Sequence, residues 1–156
     1  MSRYFIELAY NGSNYHGWQI QPGAPTIQEE LNKALSTLLR QDICVIGAGR
    51  TDTGVHASFY IAHFDTEIHI PHIDQLVYKL NRLTGKDIAI SRIYSVSPEM
   101  HARFSAISRT YKYYINKEKD PFTCAFAWKV HPLPDIHLMN KACKVLFDYT
   151  DFTSFS

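Results

Sequence analysis

The order of strand-like and helix-like patterns in the first part of the sequence constrains its fold most strongly. Apolar side chains alternate with others from Arg3 to Tyr10, which is the two-residue period of a half-buried strand. Apolar residues recur instead at helical spacing in two later segments, Ile27–Leu38 and Ile73–Leu83. Runs of β-branched and aromatic residues predict three further strands, at Ile43–Ile46, Ser58–Phe64 and Ile88–Val96.

Boundary signals support both helices. Thr26 and Glu29 form a T-x-x-E capping box ahead of the first helix, whereas Pro71 opens the second and Gly85 ends it. The resulting order, β-α-β-β-α-β, is that of the ferredoxin-like split βαβ arrangement in the α+β class. We therefore predict a four-stranded antiparallel sheet with both helices on one face and the other face open to a ligand.

A second, incomplete pattern follows the fourth strand. Ser108–Lys117 predicts a fifth strand, which an Asp-Pro pair ends. Asp135 is placed to cap a third helix over Ile136–Phe147. We therefore expect residues 1–103 to form a complete ferredoxin-like domain, and residues 104–156 to be the β-α start of a second half.

Charge and aromatic content bear on the class of partner. The 156 residues carry a formal net charge of +1, so the overall charge says nothing about a nucleic-acid partner. Between Arg103 and Lys119, however, five cations and one anion are interleaved with aromatic rings. Cations that meet phosphates, beside rings that stack on bases, suit a surface for RNA. Charge alone favours an ordinary solvated strand face.

Cysteine and histidine spacing argues against disulfides and metals. Cys44, Cys124 and Cys143 are too few and too scattered for a disulfide framework or a C-x-x-C site. Cys44 in an apolar strand and Cys143 in a helical pattern are expected to be buried. His69 and His72 lack a carboxylate or cysteine at ligand spacing, so we expect no metal. With no apolar run of membrane-span length and no signal peptide, we expect a cytoplasmic protein.

The densest set of chemically active side chains lies in G-R-T-D-T-G-V-H-A, residues 49–57. Flanking apolar runs predict that this loop joins two strands, and loops on a rigid base often carry catalytic groups. Asp52 lies there between Arg50 and His56. An aspartate in this setting is a candidate nucleophile, general base or metal ligand, but the loop alone favours a turn residue that bonds its own backbone.

Residues 49–57 resemble the active-site signature G-R-T-D-x-G-V-H-A of the TruA family of tRNA pseudouridine synthases. Further segments resemble other parts of that family's pattern: Tyr10–Gln19, Thr26–Leu31, His101–Ala106, Arg109–Tyr113 and Asp151–Phe155. The chain departs from the pattern at Asn11, where aspartate is usual, at Tyr15, where phenylalanine is frequent, and at Thr150, where histidine is usual. The resemblance runs from Arg3 to the last residue and covers an N-terminal portion of the family pattern.

The resemblance implies roles for several residues of this sequence. Asp52 would be the catalytic aspartate, which attacks the target uridine at C1′ or at C6 before the base detaches, rotates and rejoins through C5. Tyr111 would stack on the uracil, and Arg50 would enter the space left by the flipped nucleotide or bind its phosphate. Three cations would be RNA phosphate contacts or solvated residues: Arg103, Arg109 and Lys112.

The resemblance also implies partners. Its substrates would be uridines at positions 38 to 40 in the anticodon stem-loop of tRNA, and the enzyme would be a homodimer that uses neither a cofactor nor a metal. In the family pattern, an arginine beyond the matched portion pairs with the catalytic aspartate, and neither Arg103 nor Arg109 corresponds to it. We therefore expect these 156 residues to be part of a longer enzyme and to have impaired activity alone.

Two other functions fit the residues less fully. A non-catalytic RNA-binding module of ferredoxin-like topology suits a sheet with aromatic and basic residues on its open face, although no R-G-F-x-F motif occurs. A small-molecule regulatory domain of the same topology would not need Arg50, Asp52 and Tyr111 together. Replacing Asp52 separates an enzyme from a binding module, because only the enzyme would lose turnover while still holding RNA.

Overall fold

The computed structural model describes residues 1–155 of the chain. These residues form two compact units, one from Met1 to Ser108 and a second that begins at Arg109. The predicted domain boundary between residues 103 and 104 stays a prediction. Ser156, the last residue of the predicted second part, lies outside the described residues.

The first unit is a four-stranded antiparallel sheet with two helices. Its elements in chain order are β1 (Ser2–Tyr10), α1 (Ile27–Leu39), β2 (Ile46–Gly47), β3 (Ala57–Thr66), α2 (Ile73–Leu83) and β4 (Ile88–Val96). The sheet order is β2-β3-β1-β4, and each neighbouring pair is antiparallel. The predicted α+β, ferredoxin-like arrangement is confirmed.

Local chemistry sets the helix ends. The hydroxyl oxygen of Thr26 accepts a hydrogen bond from the backbone N–H of Glu29 at 3.4 Å, which caps α1 as predicted. α1 ends at Arg40, whose φ of 52° takes the backbone into the left-handed region. α2 ends where the backbone N–H of Thr84 donates to the carbonyl oxygen of Leu80 at 2.8 Å.

The hydrophobic core lies between the sheet and both helices. Alternate side chains of β1 and β3 are buried with the apolar faces of the helices. These residues are Tyr4, Ile6, Leu8 and Tyr10 of β1, Tyr60, Ala62 and Phe64 of β3, Leu31 and Leu35 of α1, and Leu76 and Leu80 of α2. Because every second side chain of a strand lies on the same side, one face of the sheet carries both helices.

The segment after β4 covers part of the other sheet face. Nη1 of Arg3 donates to the carbonyl oxygen of Met100 at 2.9 Å, and the backbone N–H of Ala102 donates to Nδ1 of His63 at 3.2 Å. Phe5 and His63, which occupy paired positions of β1 and β3, are buried on this face. The face that the sequence predicts to be open is therefore only partly open.

Strand β2 is shorter than predicted because side chains of α1 bind the backbone before it. The carboxamide oxygen of Asn32 accepts from the backbone N–H of Val45 at 2.8 Å. Nε2 of Gln28 donates to the carbonyl oxygen of Val45 at 2.7 Å. As a result, Ile46–Gly47 pairs with β3, whereas the predicted strand was Ile43–Ile46.

The second unit contains two short strands and a helix. β5 (Ile115–Asn116) pairs in parallel with β6 (Trp128–Lys129), and α3 (Ile136–Val145) follows. The predicted strand Ser108–Lys117 is wrong over most of its length. A strand requires a paired strand, and within residues 1–155 this segment is paired as a strand only at Ile115–Asn116, with one further hydrogen bond from the backbone N–H of Trp128 to the carbonyl oxygen of Tyr114 at 2.8 Å.

Helix α3 begins as predicted and ends early. The carboxylate of Asp135 accepts from the backbone N–H groups of His137 and Leu138 at 2.7 and 3.2 Å. The α-helix then gives way to a 3₁₀ turn, Leu146–Asp148, instead of continuing to Phe147. Neither α3 nor any other helix in the described part of the chain is long and apolar enough to cross a membrane.

The predicted burial of two cysteines is wrong. Cys44 is exposed because Ile43 and Val45 are buried, and alternation in an extended segment turns the side chain between them outward. Cys143 is exposed on α3, of whose described residues none is buried.

Candidate active site

Residues 49–56, which we call the signature loop, connect two neighbouring strands of the sheet, β2 and β3. The backbone N–H of Ala48 donates to the carbonyl oxygen of Ile61 at 2.9 Å, so pairing with β3 continues one residue beyond β2. The backbone then leaves the sheet and returns to it at Ala57. Adjacent strands therefore hold the signature loop at both ends.

Three residues with buried aromatic side chains, which we call the aromatic anchor, form hydrogen bonds with the signature loop: Tyr10 at the end of β1, Trp18, and Tyr60 on β3. The ring centroids of Trp18 and Tyr60 are 4.4 Å apart. Those of Tyr10 and Tyr60 are 5.5 Å apart in an edge-to-face arrangement, and those of Tyr10 and Trp18 are 6.1 Å apart. Aromatic pairs at these separations stabilise one another.

The aromatic anchor fixes two residues of the signature loop. The hydroxyl of Tyr60 donates to the carbonyl oxygen of Gly49 and accepts from the backbone N–H of the same residue at 3.2 Å. The hydroxyls of Tyr10 and Thr51 share a hydrogen bond of 2.9 Å, and the backbone N–H of Trp18 donates to the carbonyl oxygen of Thr51 at 3.0 Å. The signature loop is therefore fixed at Gly49 and at Thr51, on both sides of the residue between them.

A second loop, residues 11–17, packs directly on the signature loop. The backbone N–H of Gly54 donates to the carbonyl oxygen of Tyr15 at 3.3 Å, and the backbone N–H of Gly12 donates to Nδ1 of His56 at 3.1 Å. A Cβ atom at Gly12 would overlap the carbonyl oxygen of Val55. Glycine therefore permits the two backbones to approach this closely.

Asp52 is exposed on the signature loop. Its backbone carbonyl accepts from the N–H of Val55 at 3.2 Å, which closes a turn. Within residues 1–155, its carboxylate has no hydrogen-bond or ion-pair partner. An ionised carboxylate offers about four lone-pair positions. All of them are therefore available to a cation, a proton or an electrophilic carbon of a ligand.

Arg50 is exposed two residues before Asp52. In the described part of the chain the two side chains form no ion pair with each other. A guanidinium has five N–H donors in a planar fork that matches a phosphate group. The signature loop thus presents one cation and one anion separately to a ligand.

The other predicted site residues belong to different elements. Arg103 follows β4 in the first unit, is exposed, and has its Cζ 5.7 Å from the ring centroid of Phe104. Tyr111, Arg109 and Lys112 precede β5 in the second unit and are all exposed, Tyr111 by 63%. Their predicted RNA contacts require exposed rings and cations of this kind.

No protein-family model matches the chain. Comparison with individual known proteins, however, identifies its family. The whole chain aligns with 62% of the tRNA pseudouridine synthase A of Parabacteroides distasonis, at 56% identity over 156 residues. The protein of the same name from Bacteroides thetaiotaomicron is 54% identical over 156 residues, which are 58% of its own length. The chain belongs to the TruA family.

Relatives that are less similar to this TruA family chain also align with nearly all of it. The tRNA pseudouridine synthase A of a Thermoanaerobacter species is 39% identical over 157 residues, which cover 99% of this chain and 64% of that protein. The chain thus spans about three fifths of the length of the curated relatives it matches, with 62% and 58% of the first two covered.

The aromatic anchor is the part of this TruA family site that sequence reasoning missed. Tyr10 and Trp18 belong to a segment with family resemblance, but the pattern does not reveal their contacts with the signature loop. The two-residue period places Tyr60 on the core face of β3 with Ala62 and Phe64, which predicts its burial. It does not predict the partner of the hydroxyl, because that depends on which loop closes over the ring.

A second polar cluster lies on the sheet face opposite the helices. Nε and Nη2 of Arg3 donate to the two carboxylate oxygens of Asp65 at 2.8 and 2.7 Å, and these hydrogen bonds hold the pKa of Asp65 below its ordinary value. Burial lowers the pKa of His63 to about 4, with smaller effects from the charges of Arg3 and His101. Nε2 of His63 has no hydrogen-bond partner within the described residues. Residues 1–155 contain no group of three His, Cys, Asp or Glu side chains that could hold a metal ion.

Proposed function

We propose that this chain carries the catalytic aspartate of a tRNA pseudouridine synthase, an isomerase that converts uridine in tRNA to pseudouridine. The observation that supports this most is the exposed carboxylate of Asp52, which has no partner within residues 1–155, on a loop fixed by the aromatic anchor. A nucleophile must be both accessible and held in position. The relatives' shared name, tRNA pseudouridine synthase A, supports tRNA as the substrate class.

The reaction is an isomerisation within one nucleoside. Asp52 attacks the uridine at C1′ of the ribose or at C6 of the base. The bond between C1′ and N1 breaks, the base rotates, and a new bond joins C1′ to C5. The bond between Asp52 and the nucleoside also breaks, which returns the free carboxylate. C5 loses its proton and N1 gains one, so atoms and electrons balance without an oxidant or a reductant. The proposal therefore includes neither a cofactor nor a metal.

Arg50 assists by stabilising the flipped state of the RNA. A uridine in a stem must leave the stack before Asp52 can reach it, which costs a few kcal/mol. The guanidinium of Arg50 is exposed two residues before Asp52, so it is placed to fill the vacated space or to bind the displaced phosphate.

Residues outside the signature loop bind the RNA. Tyr111 stacks on the uracil, an interaction that contributes about 1–3 kcal/mol for an aromatic side chain and a base. Arg103, Arg109 and Lys112 contact phosphates, so RNA affinity decreases as the salt concentration rises. The exposure of all four side chains supports these roles.

The substrate proposal extends to the anticodon stem-loop, where uridines at positions 38 to 40 are modified by a cytoplasmic homodimer. Residues 1–103 are the catalytic domain, and residues 104–156 are the start of a second half. A further part of the protein provides an arginine that pairs with Asp52, so the chain has impaired activity alone. The lack of a cation beside the Asp52 carboxylate within residues 1–155 supports this.

An assay on anticodon stem-loop RNA tests the proposal. The chain is produced alone and joined to the remaining part of the Parabacteroides distasonis relative, which we call the joined protein. We expect the joined protein to form pseudouridine in stem-loops with uridine at positions 38 to 40, but not in stem-loops with cytidine there. The chain alone should form much less. Equal turnover by both forms would contradict the impairment, and no product from the joined protein would contradict the function.

Asp52→Asn separates an enzyme from an RNA-binding module. We expect turnover to fall by about 10³-fold or more, because the amide cannot act as the nucleophile. RNA affinity should stay within about twofold, because the cations that bind phosphate are intact. Glu67→Gln, which neutralises an exposed carboxylate directly after β3, is the matched control and should change neither quantity. A joined protein that binds RNA equally well in all forms, yet never modifies it, would be a binding module.

A further inference from the structure

We propose that Tyr60, with Tyr10 as a second anchor, is a positioning residue for the signature loop. Its hydroxyl holds Gly49 by both backbone groups and so sets the place from which Arg50 and Asp52 meet the substrate. This inference rests on the proposed function, since it assigns to Tyr60 a part in the same reaction.

The hydrogen bonds of Tyr60 fix the backbone of Gly49. Its hydroxyl accepts from the backbone N–H of Gly49 at 3.2 Å and donates to the carbonyl oxygen of Gly49. Within the described residues, Gly49 forms no other hydrogen bond. One side chain therefore satisfies both polar groups of the residue directly before Arg50, at the point where the backbone has left the sheet.

The packing of Tyr60 makes its hydroxyl a fixed point. Only 8% of the residue is exposed, and its ring lies against Trp18 and Tyr10 at centroid distances of 4.4 and 5.5 Å. A Cβ atom at Gly47, the last residue of β2, would overlap both the hydroxyl of Tyr60 and the ring of Trp18. Packing this tight holds the side chain in one rotamer, so the position of the hydroxyl follows from the backbone of β3.

A second anchor acts two residues further along the loop. Thr51 bonds to the hydroxyl of Tyr10 at 2.9 Å and, through its carbonyl oxygen, to the backbone N–H of Trp18 at 3.0 Å. Arg50 lies between the anchored residues Gly49 and Thr51, and Asp52 follows directly. The two catalytic side chains thus extend from a backbone that is fixed on both sides of Arg50.

Holding the backbone of the signature loop in place affects the rate of the chemical step more than it affects RNA binding. Tyr60 is buried and does not itself meet the substrate, so its removal leaves the RNA-binding surface intact. A nucleophile that is displaced by about 1 Å can lose about 10²-fold in rate. The expected signature is therefore a loss in the rate of the chemical step at unchanged RNA affinity.

Tyr60→Phe in the joined protein removes the hydroxyl and keeps the ring. We expect the single-turnover rate of pseudouridine formation to fall about 10- to 100-fold, with the dissociation constant for stem-loop RNA changed by less than about twofold. The melting temperature should fall by no more than about 5 °C, because two hydrogen bonds of modest net strength are lost.

Tyr4→Phe is the matched control. Tyr4 is also a buried tyrosine of the same core, stacked on Phe64 at 5.5 Å, and in the described part of the chain its hydroxyl forms no hydrogen bond with the signature loop. The single-turnover rate of Tyr4→Phe should equal that of the parent protein. Thr51→Val removes the partner of the Tyr10 hydroxyl and tests the second anchor, with the same expected loss of rate. It also provides the test if Tyr60→Phe does not fold.

The outcomes separate this inference from the proposed function. A parent-like rate for Tyr60→Phe, or for Thr51→Val where it replaces that variant, overturns the inference. A parallel loss of rate, RNA affinity and melting temperature also overturns it, because a merely structural role predicts that pattern. If the parent joined protein forms no pseudouridine, the proposed function fails and the inference fails with it.

Discussion

Gly17 lies directly against the carbonyl group of Thr51. A Cβ atom at Gly17 would overlap the carbonyl oxygen of Thr51 and come within 3.2 Å of the carbonyl carbon of Asp52. Gly17 also has a φ of 83°, in the left-handed region that favours glycine. The two loops of the site therefore meet backbone to backbone at the residue before the candidate nucleophile.

Gly17→Ala is expected to disturb both stability and activity. The new methyl group forces Thr51 away, so we expect the free energy of unfolding to fall by about 1–2 kcal/mol more than in Gly23→Ala. Gly23 is the matched control because its φ of 74° is similar but no atom lies within 4 Å of a Cβ built there. Urea unfolding measures both losses. Equal losses would show that φ, rather than the contact with Thr51, decides the effect.

Arg3→Met is expected to destabilise the first unit. The change leaves the partly buried carboxylate of Asp65 without its two hydrogen bonds and removes the bond to Met100, so the free energy of unfolding should fall by about 2–4 kcal/mol. Arg92→Met breaks the more exposed pair with Glu7 and should cost less than about 1 kcal/mol. Chemical denaturation of both variants measures the difference, and equal costs would contradict the account of this cluster.

His63 is expected to make stability depend on pH. Burial lowers its pKa in the folded state to about 4, whereas the unfolded chain has the ordinary value of 6.5. Between these values the unfolded state binds more protons, so stability rises with pH from about 4 to 6.5 and is lost as pH falls. The full effect amounts to at most about 3 kcal/mol.

His63→Gln tests this pH dependence. Glutamine cannot take up the proton, so the free energy of unfolding should vary less between pH 6.5 and about 4 than in the parent. His69→Gln, at an exposed position, is the control and should keep the parent's slope. The lowered pKa of Asp65 acts in a separate range, because its contribution is present above 3.8 and is lost as pH falls further. An unchanged slope in His63→Gln would contradict the assignment.

Periodicity predicts the long elements of this fold well because local residues determine them. The predicted fourth strand, Ile88–Val96, has the observed bounds of β4. The prediction of a strand at Ile43–Ile46 failed because Asn32 and Gln28, which are distant along the sequence, bind the backbone of Val45. Tertiary hydrogen bonds of this kind leave no local pattern.

The candidate site likewise has features that the sequence predicts and contacts that it does not. The family-like motif identifies the signature loop and Asp52, which are chemical features of consecutive residues. The motif does not show that Tyr60 bonds to both backbone groups of Gly49, because β3 must first pair with β2 and bring the two residues together. The supporting residues of the site therefore emerge only from the folded sheet.

Release of tritium from RNA labelled at C5 of uridine tests directly whether Asp52 carries out the isomerisation. C5 must lose its hydrogen to water when it bonds to C1′, so each turnover releases one label. We expect the joined protein to release tritium from anticodon stem-loops, and Asp52→Asn to bind the same RNA and leave the label in place. Tritium release by Asp52→Asn at the parent rate would contradict the proposed role of this carboxylate.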